Sequence, residues 1–139
     1  MPSRAATTKP LNLPNLARLT VLVVDDNNDS VDMLAAFLHA CGAKVLKART
    51  SFRALSYVHT TPRLDAIVTD LAMPGMSGVD LLQRVRAHPR RSRLPVIALT
   101  GYYEDYAQAQ GFDAFLRKPV NFDELCSTIN RLIRRRKST

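Results

Sequence analysis

Several polar groups in this chain stand where apolar, strand-like runs stop, and their types are those of phosphate and metal chemistry. Asp70 follows Ala66-Ile67-Val68-Thr69 and is succeeded by a loop carrying Pro74, Gly75 and Gly78. Asp25 and Asp26 end the run Leu19 to Val24, Thr100 ends Pro95 to Leu99, and Lys118 follows the run Phe112 to Leu116. Each has an ordinary alternative. Asp often opens a turn, a pair of acids suits a helix N-terminus, Thr often ends a strand, and a lysine is usually solvated. Taken together they say more. Asp25, Asp26 and Asp70 on neighbouring strands would repel one another unless a cation joined them. Hard oxygen ligands with room for water suit Mg²⁺, or Mn²⁺ in its place. Lys118 beside three carboxylates would serve as a charge partner and a phosphate ligand.

The elements that must position these groups follow from periodicity. Leu19 to Val24, Leu64 to Thr69 and Pro95 to Leu99 are continuous apolar runs, the pattern of strands buried on both faces of a parallel sheet. Lys44 to Ala48 is a shorter strand whose lysines suit an edge, and Phe112 to Leu116 is a fifth. Between them, helical spacing is carried by Val31, Leu34, Ala35 and Leu38, stopped at Gly42. It recurs in Ala54, Leu55 and Val58 after a Ser51 cap, and in Val79, Leu82 and Val85 after Gly78. A short fourth helix is expected over Tyr103 to Gln110. Leu125, Ile129 and Leu132 form the stripe of a last helix opened by Asn121 and Glu124, which have capping-box spacing. Five strands alternating with five helices predict an α/β fold, a doubly wound parallel sheet with helices on both faces. In such a sheet reactive groups lie at the carboxyl ends of the strands.

Length and charge narrow the classes. The 139 residues suit one domain, and no apolar run reaches the roughly 18 residues of a membrane span. No apolar leader segment opens the chain, and Cys41 and Cys126 make no disulfide framework; a cytoplasmic protein is expected. The net charge of +8 lies entirely at the two ends. Residues 1–18 hold Arg4, Lys9 and Arg18 without an acid, and residues 131–139 hold Arg131, Arg134, Arg135, Arg136 and Lys137 without one. The 12 acidic side chains are balanced by the basic ones between those ends. Residues 1–18, rich in proline and polar residues, are expected to form a flexible arm, residues 19–135 the domain, and residues 136–139 a basic tail. His39, His59 and His88 lack metal-ligand spacing. Arg84, Arg86, Arg90, Arg91 and Arg93 are expected to form a solvated face, and the two cysteines to be packing residues. No glycine-rich nucleotide-binding motif is present.

The runs Val-Leu-Val-Val-Asp25-Asp26, Asp70-Leu-Ala-Met-Pro74-Gly-Met-Ser-Gly78, Ala-Leu-Thr100-Gly and Phe115-Leu-Arg-Lys118-Pro119 occur in this order. In this the chain resembles a response-regulator receiver domain over roughly residues 19–135. The resemblance implies a flavodoxin-like sheet in the order 2-1-3-4-5. It implies that Asp70 accepts a phosphoryl group from a phosphohistidine on a histidine kinase or histidine phosphotransfer protein. Asp26 and Asp70 would hold Mg²⁺ directly, Asp25 through water, with the Ala72 backbone carbonyl as a further ligand. Thr100 and Lys118 would hold phosphoryl oxygens, Phe115 would be the switch aromatic, and Lys118-Pro119 is a candidate cis bond. The protein would then be a single-domain response regulator, a phosphoacceptor that catalyses its own transfer rather than a turnover enzyme. A receiver cut from a hybrid kinase or longer regulator is the alternative.

Two departures from the family pattern stand out. The distance from Thr100 to Lys118 is shorter than usual by roughly one helical turn, and Ala72 is small and apolar where polar or bulky side chains are common. Phe115 also lacks the hydroxyl a tyrosine would offer. Phosphatases of the haloacid-dehalogenase type also use a strand-end Asp but need a second Asp two residues later, where this chain has Ala72. A nucleic-acid binder acting through the basic ends is a lesser alternative; the chain has no helix-turn-helix following the receiver stretch, so its DNA binding would be non-specific and sequence-specific binding is not expected.

Overall fold

A computed structural model of the chain describes residues 15–101 and 111–138. Strand β1 (Thr20–Val24) leads to helix α1 (Asn28–Ala40), β2 (Lys44–Ala48) to α2 (Ser51–Thr60), and β3 (Ala66–Asp70) to α3 (Gly78–Ala87). Then come β4 (Val96–Thr100), β5 (Ala114–Arg117) and α4 (Phe122–Ser138). The strands form one parallel sheet in the order β2-β1-β3-β4-β5. The expected helix over Tyr103 to Gln110 lies outside the described residues.

Burial follows position in the sheet. Every residue of β1, β3 and β4 is buried, whereas the edge strands carry exposed residues, Lys44 and Lys47 in β2 and Phe115 and Arg117 in β5. Alternation of side chains along each strand splits the core into two clusters. Val21, Val23, Ala66, Val68, Ile97 and Leu99 face α1 and α4. Leu22, Val24, Ile67 and Val96 face α2 and α3.

Local chemistry sets the helix starts. Asn27 caps α1 through its side-chain oxygen, and Ser77 caps α3 in a reciprocal box with Asp80. Asn121 accepts from the Glu124 amide at the start of α4. The cap of α2 is Thr50, not Ser51 as expected: Thr50 Oγ1 accepts from the Arg53 amide, while Ser51 is buried. The inner face of α3 is Leu81, Leu82 and Val85, with Val79 only half-buried. Strand β5 begins two residues later than the apolar run suggests, because Asp113 anchors its start. Asp113 Oδ2 accepts from the Val96 amide at 2.7 Å and from Arg86 at 2.8 Å.

Two expectations from composition need correction. Residues 15–18, placed in the arm, belong to the fold. Leu16 is fully buried in the α1/α4 cluster, and its amide donates to the Cys41 carbonyl at 2.9 Å. Leu11, Leu13 and Leu16, broken up by Pro14 and two asparagines, keep no helical or strand period that would single out Leu16. The arginines near the end of α3 are not all solvated. Arg86 also donates to the Leu94 carbonyl, and Arg91 binds the Val58 and Thr61 carbonyls, closing the C-terminus of α2. Cys41 and Cys126 are packed in the core as expected.

Candidate functional site

Register brings the acids together. Val24 pairs with Thr69 across β1 and β3. One further residue on each strand places Asp25 beside Asp70, and alternation sends both side chains to the α1/α4 face. Lys118 continues from β5 on that same face, two residues beyond Leu116. Its amide donates to the Thr100 carbonyl at 2.8 Å, which ties the lysine to the end of β4. Asp26 comes next after Asp25, where the chain turns into α1, and is exposed.

The β3–α3 loop folds back under the site. The Gly78 amide donates to the Leu71 carbonyl at 2.9 Å. A Cβ on Gly78 would stand 2.5 Å from the Asp70 carbonyl oxygen and 3.0 Å from the Leu71 Cα, so only glycine lets the backbone approach this closely. Gly75, at φ +76°, makes the turn before it.

The electrostatics are unbalanced. Lys118 Nζ is 3.1 Å from Asp70 Oδ1 and 3.7 Å from Asp25 Oδ2. Asp25 Oδ1 accepts from the Asn27 amide at 2.9 Å, but the buried Oδ2 has no hydrogen-bond partner among the described residues. Among the described residues, one ammonium thus faces three carboxylates. Burial pushes the Asp70 carboxyl above its ordinary range; Lys118 opposes that rise, and Asp25 and Asp26 add to it.

One carboxylate oxygen from each of Asp25, Asp26 and Asp70 lies within 4.8 Å of the others. An orphaned buried oxygen and an all-carboxylate donor set fit a small hard cation such as Mg²⁺ or Mn²⁺. Ala72 is exposed in the adjoining loop.

Thr100 is 1% exposed at the end of β4. Phe115 pairs with Ala98, two residues before Thr100. Thr100 and Phe115 therefore share the α2/α3 face, opposite to the one bearing Asp25, Asp70 and Lys118. Phe115 is 43% exposed, with Met33 and Phe52 one of three large apolar side chains turned outward among the described residues. The Lys118-Pro119 bond is cis. Sequence reasoning did not anticipate the close approach at Gly78. Glycine in a loop usually signals only a turn, and the clash appears once β3 and α3 are placed together.

The sequence pattern of the response regulator receiver domain matches residues 21–130. The chain is 42% identical over 118 residues to the "uncharacterized 14.6 kDa protein in sodA1 3'region" of Leptolyngbya boryana, covering 81% of this chain and 88% of that one. It is 35% identical over 124 residues to the stress response regulator protein 1 of Meyerozyma guilliermondii; the match takes in 84% of this chain but 57% of that regulator's length. Among solved structures, a response regulator receiver domain protein from Clostridium thermocellum superposes with a TM-score of 0.77 at 31% identity, over 86% of this chain and 97% of that one.

Proposed function

Because the chain belongs to the response regulator receiver family of two-component signalling, we propose that Asp70 is its phosphoacceptor. The observation that supports this best is Asp70 itself, a buried carboxylate held 3.1 Å from Lys118 Nζ at the carboxyl edge of the sheet. A phosphohistidine on a histidine kinase or histidine phosphotransfer protein is the donor. An Asp70 carboxylate oxygen forms a bond to phosphorus as the phosphorus–nitrogen bond to the donor imidazole breaks. Lys118 offsets charge on the transferring oxygens, and Thr100, one residue beyond the Leu99 that pairs with Asp70, would have to swing over the sheet edge from the α2/α3 face to take a phosphoryl oxygen. Such transfer rests on positioning and electrostatics more than on covalent chemistry by the protein. Asp25, Asp26 and Asp70, with the Ala72 carbonyl, would hold Mg²⁺, which when bound supplies the positive charge that lets an anionic nucleophile meet an anionic phosphoryl group.

Phe115 is the readout. It sits outward on the face it shares with Thr100 and would turn inward once Thr100 moves toward the phosphoryl group. The protein acts as a phosphoacceptor in the cytoplasm rather than as a turnover enzyme, and a partner protein reads the altered surface. A second reading, a receiver module of a longer regulator or hybrid kinase, draws support from the stress response regulator, of which the chain spans 57%.

Incubation with a small phosphodonor and Mg²⁺ tests the proposal. One acid-stable, base-labile phosphoryl group is expected on the parent and none on Asp70→Asn. Equal modification of both would remove Asp70 from the role.

A further inference from the structure

The α1/α4 cluster encloses a pair of thiols that the phosphoacceptor edge does not use. Cys41 is the C-cap residue of α1, its amide held by the Phe37 and Leu38 carbonyls at 3.1 Å each. Cys126 lies in the second turn of α4. The 13-residue α1 separates Cys41 from Asp25 and Asp26 by roughly 20 Å at 1.5 Å per residue. The two sulfurs are 3.2 Å apart, with Cys126 donating to Cys41 across 85 positions of chain. Both are free thiols.

The surroundings give the pair an order of access. Cys126 is fully buried, whereas Cys41 is 7% exposed. The strap at residues 15–18 crosses over Cys41: the Leu16 amide binds its carbonyl, and a Cβ on the adjacent Gly42 would meet the Ala17 nitrogen at 3.1 Å. Both residues are buried, Cys41 the less so, which makes its sulfur the candidate for first attack. A disulfide needs about 2.05 Å between sulfurs, so the pair must close by roughly 1 Å, without bringing distant segments together.

We propose that Cys41 and Cys126 form a modification site at which a low-molecular-weight disulfide generates an intramolecular bond tying the end of α1 to α4. The Cys41 thiolate attacks one sulfur of the reagent R–S–S–R, that bond breaks, and one thiolate leaves. Cys126 then gives up its proton, its sulfur attacks the Cys41 sulfur of the mixed disulfide, and the second thiolate leaves. The two cysteines lose two hydrogens and two electrons in total, and the reagent becomes two molecules of thiol. Burial and the contact with Cys41 push the Cys126 thiol up, so it keeps its proton until the second step. The product ties covalently the two helices between which Phe37 and Phe122 already stack at 4.5 Å.

The full folded chain, incubated with oxidised glutathione, carries the test. Free thiols are then alkylated in denaturant and the products weighed. The expected product is lighter by two hydrogens, takes no alkyl group, yields a Cys41–Cys126 linked peptide, and melts several degrees above the reduced form. Two alkylated cysteines, glutathione retained on both, or links only between molecules would each overturn the proposal. Cys126→Ala, if folded by its melting curve, is expected to stop at one glutathione on Cys41. An unmodified Cys41 there would overturn its place as the entry sulfur. The parent chain decides the main question even if the variant does not fold.

Discussion

Asp70 is charged at a cost. Burial and two neighbouring carboxylates raise its pKa, and one lysine only partly offsets them. A carboxyl whose folded value lies above its unfolded one stabilises the fold fully at pH below the unfolded value. That contribution is lost as pH rises through the folded value. Asp70→Asn mimics the neutral form. In chelator, it should therefore melt a few degrees above the parent at neutral pH, with the advantage fading as pH falls through the raised folded value and gone once pH is below the ordinary carboxylate value. A variant less stable than the parent at neutral pH would show that Lys118 outweighs the repulsion. The same crowding predicts that Mg²⁺ raises the parent's melting temperature. Asp26→Ala, which removes an exposed member of the trio, should lose most of that rise, and differential scanning fluorimetry across a Mg²⁺ titration measures it. An undiminished response would take Asp26 out of the site.

Elements position these residues through a few close contacts, each open to a single substitution. Gly78→Ala places a methyl group against backbone at 2.5 Å, which no side-chain adjustment relieves. A loss of about 1–3 kcal/mol is expected in urea unfolding, as for overpacked sites, with slower phosphorylation of Asp70. Leu16→Ala should cost about 2–5 kcal/mol, the range for emptying a buried leucine site. A change within experimental error would return residues 15–18 to the arm. How far these elements were legible in the sequence depended on the kind of signal. β1, β3 and β4 were visible because strands buried on both faces are unbroken apolar runs, and their ends pointed to Asp25, Asp26, Asp70 and Thr100. Thr50 and Ser51 are adjacent hydroxyls, and only the register of α2 decides which caps and which is buried. Leu81 replaced Val79 on the inner face of α3 because neighbouring apolar residues leave the helix phase undetermined by about one position. Leu16, Gly78 and the roles of Arg86 and Arg91 rest on partners distant in sequence, so no local pattern encodes them.

At the scale of the whole molecule, the sheet divides the interior into two cores with different chain spans. Among the described residues, the buried members of the α2/α3 core all lie between Leu22 and Val96. The α1/α4 core draws on Leu16 near one end of the described chain and on Leu125 to Ile133 near the other. The chain leaves the ribosome from its N-terminus, so the first core can close while α4 is still in the exit tunnel. The second waits for the final helix. Until then the Val21, Val23, Val68 and Leu99 face of the sheet is covered on the α1 side only. Nascent chains arrested with residue 120 just outside the tunnel should therefore resist brief proteolysis around α2 and α3 but be cut near α1. Chains released past residue 135 should resist at both places. Cys41 would also spend that interval without its partner sulfur, so a low-molecular-weight disulfide that captured it during synthesis would leave a mixed disulfide with no second thiol at hand to resolve it.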